Sequence, residues 1–157
     1  MMQLLRNRLD REDEGFTLIE LMVVVLIIAI LIAIAIPTFL GARARAQDRA
    51  AQSNLRNALT AEKTFYTDKQ AYSATATDLS AIEPTLSYVA SSPASTGNQV
   101  GVTVTSAGDA VCLTASSASG STFGIKDIAT GATAGTYYYK AAPSCSDTSV
   151  GSGTSSW

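Results

Sequence analysis

The residues with both the type and the spacing to do chemistry are few. Near the start of the chain, Thr17 and Glu20 stand three apart at the head of an apolar run; near its end lie the only two cysteines, Cys112 and Cys145. Thr-x-x-Glu is a capping box, in which the two side chains satisfy the first amides of a helix. Glu20 is also the only charge between Phe16 and Leu40. A carboxylate at mid-membrane depth costs about 2.5–3.5 kcal/mol on insertion scales, and less near an interface, so a task beyond capping stays open for it. An even cysteine count beyond a membrane anchor favours a disulfide outside the cytoplasm over two free thiols. Such a bridge would close a loop of about 33 residues, a constraint contributing roughly 3–4 kcal/mol in the chain-entropy model.

Other chemistry lacks its parts. The chain has no histidine, so the commonest general base and transition-metal ligand are missing. Serines and threonines abound with no such partner, which leaves only a Ser–Lys pairing as a conceivable nucleophile. No glycine-rich phosphate loop follows a strand pattern. Asp109, Asp127 and Asp147 are isolated and read as solvated turn residues rather than calcium ligands. A net charge of −2 in 157 residues gives no electrostatic footprint for nucleic acid. The reading is of a protein that is not an enzyme, with no cofactor, no metal and no nucleic-acid partner.

The elements that position these residues fall into three zones. Residues 1–15 are polar and of mixed charge. Residues 16–40 are almost wholly apolar, about 25 residues, long enough as a helix to cross a bilayer core. This run is too long for a secretory signal core and ends in Pro37-Thr-Phe-Leu, a poor cleavage site for one. Residues 41–157 begin as a second, amphipathic stretch. There Ala51, Leu55, Ala58, Leu59, Phe65 and Tyr66 fall near one face, and Arg49, Arg56, Lys63 and Asp68 fall largely elsewhere. One helix is predicted from about Thr17 to about Lys69, with a kink at Pro37. A short helix over Thr77–Glu83 follows, then strands over Leu86–Ser91, Gln99–Ser106, Ala110–Ser116, Thr122–Asp127 and Thr136–Ala141. Val100, Val102 and Val104 alternate as in a half-buried strand. The short spacings predict an antiparallel meander, and the Ser/Gly-rich end from Ser144 to Ser156 predicts a mobile tail. The fold class is α+β: a long N-terminal helix, apolar then amphipathic, packed against a C-terminal antiparallel sheet.

The segment Glu14-Gly15-Phe16-Thr17-Leu18-Ile19-Glu20-Leu21-Met22-Val23-Val24-Val25 resembles the prepilin cleavage and methylation motif of type IV pilins and pseudopilins. Asn54 to Tyr72 also resembles pilin sequence at this place. The resemblance implies that residues 1–15 are a leader cleaved after Gly15 and that Phe16 becomes an N-methylated terminus. It implies that Glu20 serves assembly and that Pro37 bends the helix. It also implies that residues 16–40 form a transmembrane and then filament-core segment, and that 41–157 form an exported head whose Cys112 and Cys145 bound a disulfide region. The expected function is that of a structural subunit of a type IV pilus-like filament, held in the cytoplasmic membrane as precursor and displayed at the cell surface. Its expected partners are further copies of itself, a prepilin peptidase and methyltransferase, and an assembly platform with its motor. A pseudopilin of a type II secretion system, or a minor pilin, shares the same start. A single-span anchored binding protein that never polymerises is the reading from another class. The leader departs from the short basic pattern, because Arg6, Arg8 and Arg11 are offset by Asp10, Glu12, Asp13 and Glu14. Ala29 stands where many pilins have glycine.

Overall fold

The computed structural model describes residues 15–90, 97–146 and 148–157. All of the assigned leader but Gly15, the last residue of the first predicted strand, and Asp147 lie outside the described residues. The chain divides into two units between Gly41 and Ala42, and one helix, α1 (Leu18–Lys69), runs through both.

In the first unit α1 starts where the capping box predicts. From Leu18 to Leu40 its leucine, isoleucine, valine and alanine side chains are unburied among the described residues, and every residue from Gly15 to Leu40 is exposed. The helix is continuous across Ala29 and Pro37. After the proline, the Thr38 hydroxyl donates to the carbonyls of Ile34 at 3.2 Å and Ala35 at 2.8 Å. Proline removes one helical donor, and the threonine supplies another to the same turn.

The second unit contains the rest of α1, a short helix α2 (Ala76–Ile82) and a five-stranded sheet. α1 ends at Gln70, whose φ of 58° is left-handed, the usual way for a helix to stop. The strands are β1 (Ser87–Val89), β2 (Gln99–Val104), β3 (Ala110–Ser116), β4 (Thr122–Ile128) and β5 (Gly135–Tyr139), in spatial order β1-β2-β3-β4-β5. Three of the four pairings are antiparallel, as expected. The fourth is not: β1 runs parallel to β2, a pairing that a tight hairpin cannot make. In the β2–β3 turn Gly108 takes a φ of 72°, and its carbonyl accepts the Tyr72 amide at 3.0 Å, joining the turn to the segment after α1.

One face of the sheet packs on α1. Leu55, Ala58 and Leu59 meet Val100, Val102, Val111, Leu113, Phe123 and Ile125 in one core that also takes in Tyr72, Leu79 and Tyr88. The opposite face was expected to be open and is covered. The composition of the C-terminal tail predicts mobility, but its described residues are tied across that face. Pro143 and the Ala141 carbonyl lie so close to Gly124 that a Cβ there would sit 2.3 and 2.7 Å from them. Thr154 and Tyr138 form a bridge beside β5. Beyond β5 the chain end passes to the α1 side, where Trp157 donates its indole N–H to the Tyr139 carbonyl at 2.9 Å and sets its ring edge-on to Tyr138 and Phe123, under Arg56. A sheet covered on both sides explains why β3 and β4 are buried at nearly every position.

Two outcomes follow. Gly124→Ala should destabilise the chain by about 1–3 kcal/mol, because the methyl must displace proline and backbone atoms; urea denaturation in detergent measures it, and wild-type stability would show that the tail does not rest on the sheet. The second concerns Glu62, which is fully buried on α1. Its Oε2 accepts the Ser73 amide at 3.2 Å and its Oε1 has no partner. Burial pushes its pKa up to about 8, with the nearby Asp78 carboxylate adding to the rise and the Ser73 bond opposing it. The folded state keeps this proton up to about pH 8, whereas the unfolded chain releases it near 4.5. The folded state therefore binds more protons between those values, and stability falls as pH rises through that window, by on the order of 4 kcal/mol. Thermal melts of Glu62→Gln against the parent should diverge in the variant's favour from pH 5 to pH 8.5. A pH-independent difference would place the carboxyl in contact with water.

Candidate functional site: the helix entry and the buried charges of the head

At the helix entry, Thr17 N–H donates to Glu20 Oε2 at 2.8 Å and Thr17 Oγ1–H to the same oxygen at 2.7 Å, while Glu20 N–H donates to Thr17 Oγ1 at 3.3 Å. The capping box anticipated from spacing is formed, with Thr17 at the cap and Glu20 in the first turn. Gly15 precedes it outside any helix or strand and is exposed, and Phe16 is 85% exposed. The apolar stretch of α1 that follows is long and apolar enough to cross a membrane. So large an exposed apolar surface has no stable place in water. Arg43, Arg45 and Arg49 lie exposed along the helix beyond it.

Sequence reasoning missed the charges inside the head. Asp127, anticipated as a solvated turn residue, is a buried residue of β4. It accepts a hydrogen bond from the Tyr72 hydroxyl at 2.5 Å and another from the Thr136 hydroxyl, and its carboxylate pairs with Lys63 at 3.2 Å. Asp127 thereby ties α1, the segment after it, β4 and β5 together. Burial, and after it the hydrogen bond to Asp127, pushes the Tyr72 phenol well above its ordinary pKa. The faint signal was the break in alternation, since Lys126 and Asp127 stand together inside a run that is otherwise Phe, Gly and Ile. Asp109 is held locally, accepting from the Thr105 hydroxyl at 2.5 Å. Of the aromatic residues set aside as packing, Tyr66 and Tyr72 stack at 4.7 Å, and Phe16 and Phe39 are exposed.

On the face under the tail, Cys112 of β3 stands directly opposite Lys126 of β4 and Thr103 of β2. Cys145 comes down from the tail onto the same spot. Both cysteines are thiols in this structure, Cys112 buried and Cys145 half-buried. Cys112 Sγ lies 3.5 Å from the Ser144 carbonyl, and Cys145 Sγ donates to the Thr103 carbonyl at 3.2 Å. Lys126, 1% exposed, donates to the carbonyls of Ser144 and Ser149 at 2.8 Å each. The structure brings the two sequence-predicted cysteines together with a lysine that no spacing rule pointed to. Among the described residues no cluster of three or more metal-ligating side chains occurs.

The prokaryotic N-terminal methylation motif matches residues 11–36, the stretch that contains Gly15, Phe16, Thr17 and Glu20. The chain is 42% identical over 67 residues to the type IV major pilin protein PilA of Myxococcus xanthus, a stretch covering 43% of this chain and 30% of that protein. It is 36% identical over 62 residues to the type IV wide pilus major component PilA4 of Thermus thermophilus, covering 40% of this chain and 47% of that protein. The chain thus spans less than half the length of either relative. It carries the prepilin-type methylation motif on a pilin-like α+β fold, and over the matched stretches it is similar to type IV major pilins.

Proposed function

We propose that this chain is a precursor of a structural subunit that polymerises into a type IV pilus-like filament. One observation carries the reading: a capped helix start, with exposed Gly15 and Phe16 before it and a lone carboxylate in its first turn, opens directly onto an apolar helix that nothing among the described residues buries. In this reading residues 1–15 are the leader, 16–40 the membrane and filament-core segment and 41–157 the head. A membrane prepilin peptidase cuts after Gly15, and Phe16 is methylated. Cleavage frees an amine on Phe16, which remains cationic when methylated, and Glu20 pairs with the amine of a subunit already at the filament base. That pairing removes an unpaired carboxylate from an apolar environment. It makes docking of the next subunit the step that neutralises the charge.

The apolar helices then leave lipid and pack on one another, with the helix bending at Pro37. Lipid is as apolar as the helices, so extraction brings no hydrophobic gain, and a platform with a motor supplies the work. Head-to-tail stacking of identical subunits is a heterologous contact that does not close, which yields a helical polymer. The precursor sits in the cytoplasmic membrane and the product at the cell surface. Cys112 and Cys145 form a disulfide after export, supported by their apposition beneath the tail. That both relatives are named as major pilus subunits supports a main filament subunit over a pseudopilin.

Intact mass of the protein in filaments sheared from the cells should match residues 16–157 plus one methyl group less two hydrogens; recovery from membranes only, with residues 1–15 attached, would overturn the reading. The two roles of Glu20 separate by substitution. Glutamine keeps the capping acceptor and lacks the charge, so Glu20→Gln should lower filament yield about as far as Glu20→Val. Wild-type yield from the glutamine variant would reduce Glu20 to a helix cap.

A further inference from the structure

The tail could have been fixed to the sheet by packing alone, yet a lysine is buried to hold it. Lys126 grips the carbonyl of Ser144, just before Cys145, and that of Ser149, just after it. Its register partner across the strands is Cys112. Lys126 therefore shares a sheet face with Cys112 and holds the tail segment that carries Cys145, and Thr103 of β2 lies on the other side of Cys112. The sulfurs are not equivalent. Cys112 is 1% exposed beneath the tail, whereas Cys145 is a half-buried residue of the tail itself.

From this geometry we infer that Cys145 is the thiol that opens disulfide exchange with an external oxidant, that Cys112 is the resolving thiol, and that Lys126 is the positioning residue that makes the order one-way. The inference rests on the reading that the pair is oxidised after export. The Cys145 thiolate attacks one sulfur of an external disulfide, forming a mixed disulfide and expelling one thiolate. Cys112 then loses its proton to solvent, and its sulfur attacks Cys145. The second external thiolate leaves and the internal bond remains. Two protein thiols are oxidised by two electrons, and one external disulfide is reduced to two thiols.

The electrostatics run the same way. The hydrogen bond from Cys112 holds the Cys145 thiol down at about 7, helped by the Thr103 side chain and by Lys126 and opposed by burial. The same hydrogen bond and burial push Cys112 far up. Among the described residues the titratable groups facing the pair are Lys126 of β4 and Tyr139 of β5; proximity to Cys112 contributes to raising the Tyr139 phenol, after burial. A thiolate is the attacking species in exchange, and its rate is greatest when the thiol pKa lies near ambient pH.

The test uses the full chain, reduced and held in detergent, with oxidised glutathione as the probe. Single-cysteine variants are compared by the rate of mixed-disulfide formation, read by intact mass. Cys112→Ser, which keeps a hydroxyl donor beside Cys145, should react about tenfold or more faster at pH 7 than Cys145→Ser, which keeps Cys112. Equal rates, or a faster Cys112, would overturn the order. Adding Lys126→Met to Cys112→Ser should slow Cys145 several-fold and move the midpoint of its pH–rate profile upward, with Lys126→Arg between. A tail merely loosened by the change would expose Cys145 and speed it, and an unmoved midpoint would overturn the part given to Lys126. Oxidation of the parent chain separates the two claims. If no internal disulfide forms, the export reading of the cysteines falls; if it forms while Cys112 proves the faster thiol, only the inference falls.

Discussion

Everything else in this protein answers to about 25 consecutive apolar residues that no described residue of the chain buries. As a helix they satisfy their backbone internally, which is the condition for living in lipid, but their side chains remain bare from Phe16 to Leu40. Such a surface must be covered by bilayer or by like helices. Composition alone fixes that demand, and it explains why the only charge within the stretch lies in the first turn. A carboxylate near the interface costs less than one at mid-membrane, and there it can reach a helix start and any amine delivered to it.

The head meets the opposite demand. It must be a stable body built on a helix with one apolar stripe and five short strands. α1 covers one face of the sheet with Leu55, Ala58 and Leu59, and the tail covers the other. Two buried charges then act as fasteners, one per face. Asp127 draws Lys63, Tyr72 and Thr136 together on the helix side. Lys126, its neighbour in sequence, points the other way and grips the tail. Adjacent strand residues face opposite sides, so two consecutive charged residues can lock both layers to one strand. Each is compensated by several hydrogen-bond partners, the condition under which buried charges persist.

What the sequence disclosed, and what it hid, follows from range. Helix start, helix end and the limits of β3 were readable because their signals are local: Thr17 with Glu20, the breakdown of the helical stripe after Tyr66, and Ala110 to Ser116 between turn residues. The alternation of Val100, Val102 and Val104 correctly marked the face that meets α1. The parallel β1–β2 pair was not readable, because strand direction depends on the path between strands and short spacing suggested a hairpin. Asp127 read as a solvated turn residue and Lys126 drew no reading because their partners lie elsewhere: Lys63 is 64 residues before Asp127, and Ser144 and Ser149 are 18 and 23 residues after Lys126. The tail misled most. Serine and glycine predict looseness when counted, but here a small residue is what close approach requires: a Cβ at Gly153 would lie 2.5 Å from the Tyr139 hydroxyl. Glu62 was invisible for a related reason, since a glutamate on an amphipathic helix is ordinarily on its wet side.

At the helix entry the local and the functional readings of Glu20 need not compete. Both bonds from Thr17 go to a single carboxylate oxygen, Oε2, and a carboxylate can accept about four hydrogen bonds. The cap holds the side chain folded back over the first turn, so that its free oxygen is presented at the helix end. Holding a long acidic side chain in one rotamer otherwise costs up to about 1.5–2 kcal/mol of conformational entropy. Thr17 bears that cost before any partner arrives. An incoming amine would then meet an acceptor already in place. On the proposed function, Thr17 would thus serve the pairing of Glu20 as well as the helix it begins.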